Sequence, residues 1–297
     1  MQEKEKSKTK PIVTKMAMVN LHISHDGGRR NMKDIANKVE KDNKTGQGIV
    51  QASIRMFPAS MTTEFTRAVS RCRTYYLENS LPWEEGNWRV VPVTKLQQFK
   101  DDIEELISKT QDAFDKVFDT GYSKLEAYFK KAKGNLNVIF PTKDELKKKF
   151  EISYNIGAIT SPDDIRIIGI DSAMRSQIEK QTEERYQAQI EEGLMELTKK
   201  LSSQLDNLEE RLEEDDQNGK KYSRFMDNLK EQVQVCKDLN VTRNQKLDAA
   251  CDVIEKTICN WSPEAIKSSA EVRNNIRQNA GSVQEQLAGI TIGDDDD

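Results

Sequence analysis

The longest regular pattern in the chain places Ile190, Leu194, Leu197, Leu201, Leu205, Leu208 and Leu212 at steps of four, three, four, four, three and four. That spacing puts all seven on one face of an α-helix and predicts a single helix over 174–212. The pattern repeats after eleven residues, about 3.67 per turn, which implies a straight or slightly right-handed pack rather than a heptad supercoil. A second series, Tyr222, Phe225, Met226, Leu229, Val233 and Cys236, follows a turn at Asn218-Gly219, so the two helices form an antiparallel hairpin. Leu247, Cys251, Ile254 and Ile258 predict a helix over 242–260. Ser262 as N-cap and Pro263 at the first helical position open a last helix to Asn279, closed by Gly281.

The front half changes period. Val19, Leu21 and Ile23 alternate with Asn20, His22 and Ser24, which argues a half-buried strand ending at the turn Asp26-Gly27-Gly28. Phe150, Ile152, Tyr154 and Ile156 alternate in the same way, and the simplest partner of that strand is the first one. A short strand over 89–93 and a third apolar run over 165–170 complete the extended segments. Among the helices, 29–51 holds one short segment. Thr62 or Thr63 caps another, with Phe65, Val69, Cys72 and Tyr76 on one face, which stops near Asn79 before Pro82. A long helix over 95–133 buries Leu96, Phe99, Ile103, Leu106, Phe114, Val117, Phe118, Leu125 and Phe129. Gly121 is a weak point in it or a place of close approach, and Gly134 closes it as a left-handed cap. Thr142 to Glu145 spell a capping box.

The fold class is α+β, mostly helical: a small antiparallel sheet covered by helices, plus the long hairpin. The expected organisation is a disordered basic arm over 1–11, an α+β domain over 12–172, the hairpin with two further helices over 173–280, and a disordered acidic tail over 281–297.

Composition fits long helices with narrow apolar stripes: 36% hydrophobic, 32% charged, mean hydropathy -0.77. No apolar run approaches the ~20 residues that span a bilayer, and MQEKEKSKTK lacks the apolar core of a signal peptide, so a soluble cytoplasmic protein without a membrane association is expected. Four widely spaced cysteines with no C-x-x-C pair read as small buried hydrophobes. Charge is uneven. Residues 1–60 carry nine Lys and three Arg against six acids, a net +6, which leaves -10 for the remainder of a chain whose total is -4.

Candidate chemistry is sparse. His22 and His25 lie three apart, on opposite faces of a strand, which disfavours a shared metal. Gly27-Gly28-Arg29-Arg30 offers backbone donors and two guanidiniums that could grip a phosphate, yet the lysine-plus-hydroxyl ending of a P-loop is missing. Arg67, Arg71 and Arg73 beside Tyr75 and Tyr76 combine charge with rings, as single-stranded nucleic acid binding requires, although core packing explains Tyr76 equally well. Glu213, Glu214, Asp215 and Asp216 sit at a helix C-terminus, where the macrodipole disfavours anions. They and Asp294, Asp295, Asp296 and Asp297 are candidate docking sites for a basic partner. No catalytic triad, paired-carboxylate site, metal cluster or cofactor motif stands out, so a non-enzymatic role without cofactors is expected.

The segment 18–24, the helix bearing Tyr75 and Tyr76, the strand Trp88-Arg89-Val90-Val91-Pro92, the long helix and Phe150-Glu151-Ile152 together resemble an uncharacterised family of bacteriophage and mobile-element proteins. The similarity covers roughly residues 13–160 and rests on element order and short matches. Genes of that family often lie near MoxR-type AAA+ ATPases, von Willebrand A-domain proteins and phage recombination or single-strand-binding proteins. The resemblance therefore implies an accessory protein in DNA metabolism or early host takeover, in the bacterial cytoplasm, with an AAA+ ATPase and a VWA-domain protein as partners. It supplies no catalytic residue. The alternative is a structural or virion-associated helical protein that self-associates through the hairpin.

Overall fold

A computed structural model of the chain describes residues 8–83, 87–164, 169, 171–213 and 219–290. In chain order the elements are α1 (Lys10–Val13), β1 (Met16–Ser24), β2 (Arg29–Asn31), α2 (Lys33–Asn43), β3 (Ser53–Arg55), α3 (Ala59–Glu78), β4 (Leu81–Pro82), β5 (Trp88–Pro92) and α4 (Val93–Phe114). There follow α5 (Tyr122–Ala132), α6 (Lys143–Lys149), β6 (Glu151–Ala158), α7 (Ser172–Glu213), α8 (Gly219–Leu239), α9 (Gln245–Val253), α10 (Pro263–Ser268) and α11 (Ala270–Ala288). Two π-helical turns, Asp115–Thr120 and Ile254–Ile258, interrupt the helical runs. The fold is α+β and mostly helical. No helix among the described residues is long and apolar enough to cross a membrane.

The chain divides into two compact units. Met1–Asn20, Leu77–Phe99 and Ile156–Asp297 form the helical unit; Leu21–Tyr76 and Lys100–Asn155 form the aromatic unit. This differs from the division at residue 172 read along the sequence. An apolar pattern records which face of an element is buried and not which distant segment buries it.

In the helical unit α7 runs 42 residues, and its stripe from Tyr186 to Leu212 is at most 7% exposed at every apolar position that faces the core. Tyr222 Oη donates to the Arg211 carbonyl at 3.3 Å and Cys236 Sγ lies 4.0 Å from the Leu197 carbonyl, so α8 returns antiparallel to α7. Helices α9 and α11, with the π-turn between α9 and α10, close the bundle through Leu247, Cys251, Ile254, Ile276, Ala280 and Val283, all fully buried. The sheet order is β4-β5-β1-β6, with Met16 opposite Pro92 and Asn20 opposite Trp88 in the antiparallel β1–β5 ladder. Strand β6 lies beside β1, as the matching alternation of the two sequences predicts.

Several local expectations are corrected. The arm predicted over 1–11 is anchored at its end: Thr9, 3% exposed, donates from its amide and hydroxyl to the Glu183 carboxylate at 2.7 and 2.9 Å, and Lys10 opens α1. The last helix does not run from 263 to 279. Ser269 breaks it and caps a new helix by accepting from the Val272 amide, and α11 passes through Gly281 because Ile276, Ala280, Val283 and Leu287 keep the apolar stripe in phase. The tail predicted over 281–297 is therefore helical to Ala288, with Ile290 also buried. Helix α3 starts at Ala59, before the predicted caps, and the Thr63 hydroxyl instead donates back to the Ala59 carbonyl at 2.7 Å. Apart from Gly169, the apolar run over 165–170 lies outside the described residues.

The aromatic unit packs Phe57, Phe65, Phe114, Phe118, Phe129 and Phe140 around Met56, Val69, Leu125 and Leu146. Phe114 stacks on Phe150 at 4.0 Å between centroids, and Phe65 meets Phe114, Phe118 and Phe150 edge-on. The long helix expected over 95–133 is broken at Gly121. A Cβ there would sit 2.6 Å from the Val117 carbonyl oxygen, so the π-turn's close approach requires glycine.

Candidate nucleic-acid interface

Helix α3 has two faces of opposite character. Phe65, Val69, Cys72 and Tyr76 are 0–3% exposed at steps of four, three and four. The other side exposes Thr66, Arg67, Ser70, Arg71, Arg73 and Thr74, and no acidic residue stands between Glu64 and Glu78. Glu64 itself is engaged by Lys116 at 2.7 Å. Arg67 and Arg71 are i,i+4 neighbours of like charge, which costs the helix stability in the absence of an anion. Arg73 is partly used by the protein: its guanidinium donates to the Ile23 carbonyl at 3.1 Å.

The rings expected to stack on bases are committed elsewhere. Tyr76 is 2% exposed. The Tyr75 hydroxyl donates to Asp102 Oδ2 at 2.8 Å, and burial, reinforced by that carboxylate, pushes its pKa up. What α3 presents outward is guanidinium and hydroxyl, the chemistry of phosphate contacts rather than of base stacking.

The Gly27-Gly28-Arg29-Arg30 turn binds an anion of its own. Gly28 has φ +65° and its missing Cβ leaves room for Phe57, so glycine is needed twice over. Its amide donates to Asp26 Oδ1 at 2.8 Å; Arg30 donates to both carboxylate oxygens at 3.0 and 2.6 Å; Lys149 adds a contact at 2.9 Å. Burial raises the Asp26 pKa, but the hydrogen bonds from Arg30, Lys149 and Gly28 outweigh it and hold the carboxyl well below the usual range. Arg30 thus serves the turn, while Arg29 points its position outward on β2.

Sequence reading missed the short ribbon that follows. Strands β2 and β3 pair antiparallel with Arg29 opposite Arg55, Arg30 opposite Ile54 and Asn31 opposite Ser53. Three residues each are too few for alternation to show, and the partners lie on either side of α2.

The histidines do not converge. His22 Nε2 is 3.9 Å from Glu151, and the His25 ring packs edge-on to Phe65. Among the described residues no group of three His, Cys, Asp or Glu is placed to hold a metal. The four cysteines are buried and unbridged, and burial pushes the thiols of Cys72, Cys236 and Cys259 up to about 11. Of the acidic candidates, Glu213 closes α7. Its carboxylate, with Glu214, Asp215, Asp216 and Asp294 to Asp297, lies outside the described residues.

Charge follows the units. The aromatic unit holds twenty-one Lys and Arg against sixteen Asp and Glu, a net +5, so the helical unit holds -9 of the chain's -4. No protein-family model matches the chain, and no curated protein or solved structure does so either.

Proposed function

We propose that this chain is a non-enzymatic accessory protein that binds nucleic acid through its aromatic unit and a protein partner through its acidic helical unit. The observation that carries the first half is the exposed face of α3, where Arg67 and Arg71 stand among hydroxyls with no acid in the thirteen residues between Glu64 and Glu78. Contacts of this kind position a phosphate backbone and read no bases, so binding is expected to be independent of sequence. The second half rests on the net -9 and on the resemblance to phage and mobile-element proteins, which suggests an AAA+ ATPase as the partner and DNA metabolism or early host takeover, in the bacterial cytoplasm, as the setting.

Against a structural assembly role stands the burial of the leucine stripe within one chain: Leu201, Leu205 and Leu208 have no exposed surface left for another copy.

The test is fluorescence anisotropy with a labelled oligonucleotide, single- and double-stranded, from low to physiological salt. Affinity should fall steeply with salt, and Arg67→Gln with Arg71→Gln should reduce the slope by about 2. Absence of binding at low salt would overturn the reading.

A further inference from the structure

The ribbon of β2 and β3 has a solvent face made of four residues: Arg29, Asn31, Ser53 and Arg55, each exposed, while Arg30 and Ile54 turn to the other side. Arg29 and Arg55 are direct cross-strand partners. Opposed side chains in an antiparallel pair have Cβ atoms about 4.5–5.5 Å apart, and like charges placed so are destabilising. None of the four residues is a carboxylate that could relieve them. The nearest acid in sequence, Asp26, is already saturated by Gly28, Arg30 and Lys149.

The ribbon is also held in place before any ligand arrives. The Met56 amide donates to the Gly28 carbonyl at 2.7 Å and the Met32 amide to the Ala52 carbonyl at 2.8 Å, closing the ladder at both ends. Phe57, packed into the space that Gly28 leaves, ties the end of β3 to the phenylalanine core. Two guanidiniums held side by side on a fixed backbone, next to a carboxamide and a hydroxyl, match an oxyanion that accepts several hydrogen bonds at once.

We infer that this face is a phosphodiester clamp: Arg29 and Arg55 together grip a backbone phosphate of the bound nucleic acid, and Asn31 and Ser53 hydrogen-bond the adjoining sugar-phosphate. The clamp deepens the nucleic-acid reading and rests on it. It adds Arg55, Asn31 and Ser53 to the surface and assigns Arg29 a partner. A protein ligand would need a patterned set of carboxylates at phosphate spacing, whereas a nucleic acid supplies anions along its whole length.

The experiment measures salt-dependent oligonucleotide binding by the full chain carrying Arg29→Gln, Arg55→Gln or both, beside Arg67→Gln/Arg71→Gln and with inorganic phosphate as competitor. Each clamp substitution should lower the slope of log affinity against log salt by about 1, equally for different sequences. The melting temperature should hold or rise, since one of two repelling charges is gone. Inorganic phosphate should compete poorly, because it spans only one contact of many. If the clamp variants bind as the parent does while the Arg67/Arg71 variant weakens, the clamp is wrong and the nucleic-acid reading stands. Absence of binding by the unmodified chain at low salt overturns both. Should Arg55→Gln melt lower, Arg55→Lys decides: a retained slope supports the clamp, a lost one overturns it. Full competition by phosphate would reduce the face to a free-phosphate site and overturn the assignment.

Discussion

In the helical unit a stripe of aliphatic residues on α7 meets further aliphatics from α8, α9 and α11, and the net charge is -9; in the aromatic unit six phenylalanines on shorter elements interlock in edge-on and tilted pairs, and the net charge is +5. The first kind of core is repetitive, each layer resembling the next along a helix. The second is a knot of rings in which one side chain, Phe65, touches partners from three other segments. A repetitive core distributes its stability, and a knotted one concentrates it.

The largest effect follows from that contrast. Phe114→Ala removes a 3%-exposed ring that stacks on Phe150 and meets Phe65 and Phe118, and should cost about 3–5 kcal/mol. Leu201→Ala, at 0% exposure in the middle of the stripe, should cost about 2–5 kcal/mol. Denaturant melts give the totals, and hydrogen exchange locates them. Faster exchange confined to the unit that carries each substitution sustains the comparison, and a uniform loss everywhere breaks it.

Asp26→Asn comes next. The side chain is 4% exposed and accepts four hydrogen bonds, so its charge should contribute roughly 1.5–3 kcal/mol. Because its folded pKa is depressed below the ordinary carboxylate value, this stabilisation is complete above about pH 5 and is lost as pH falls through the folded value. The parent and Asp26→Asn should therefore differ most at neutral pH and converge in acid. Parallel melting curves at every pH would show that the carboxylate does not matter.

Gly121→Ala should cost about 1–3 kcal/mol, since the new Cβ meets two carbonyl oxygens inside 3 Å. The π-turn Ile254–Ile258 of the helical unit contains no glycine and should accept Thr257→Ala with a smaller loss. The smallest expected signal is chemical. Cys72, Cys236, Cys251 and Cys259 should react with a thiol reagent only at the rate of opening, since they are buried and their thiols are held protonated at neutral pH. Four thiols titrating promptly in the native protein would contradict the packing of both units.

The same contrast governs what could be read from the amino acids. The α7 stripe, the antiparallel return of α8, the capping box at Thr142 and the left-handed Gly134 are written in spacings of three or four and in single cap residues, and the structure has them all; the turn read at Asn218-Gly219 lies partly outside the described residues. The interleaving of units is not local. Nothing near Thr9 announces Glu183, 174 residues on. For the candidate surface, Arg29, Arg67 and Arg71 were legible as exposed cations, because no apolar period claims their positions. Arg30 was misleading, since its neighbour Asp26 could be seen but the turn that points the two together could not. Arg55 was invisible: it gains meaning only from Arg29 opposite, across a connection that includes a whole helix.

The four places where the chain passes from one unit to the other, after Asn20, Tyr76, Phe99 and Asn155, all lie inside β1, α3, α4 and β6. During synthesis this sets an order of events. The aromatic unit has its full complement of residues once Asn155 has left the ribosome, whereas the first part of β1, Met16 to Asn20, and the segment around Thr9 belong to a unit whose closing helix ends at Ala288. At about 5–20 residues per second the first strand of the nascent chain must wait on the order of ten seconds for the helices that cover it. A nascent chain that has just passed residue 155 thus holds every residue of the cationic unit before any of α7 to α11 exists.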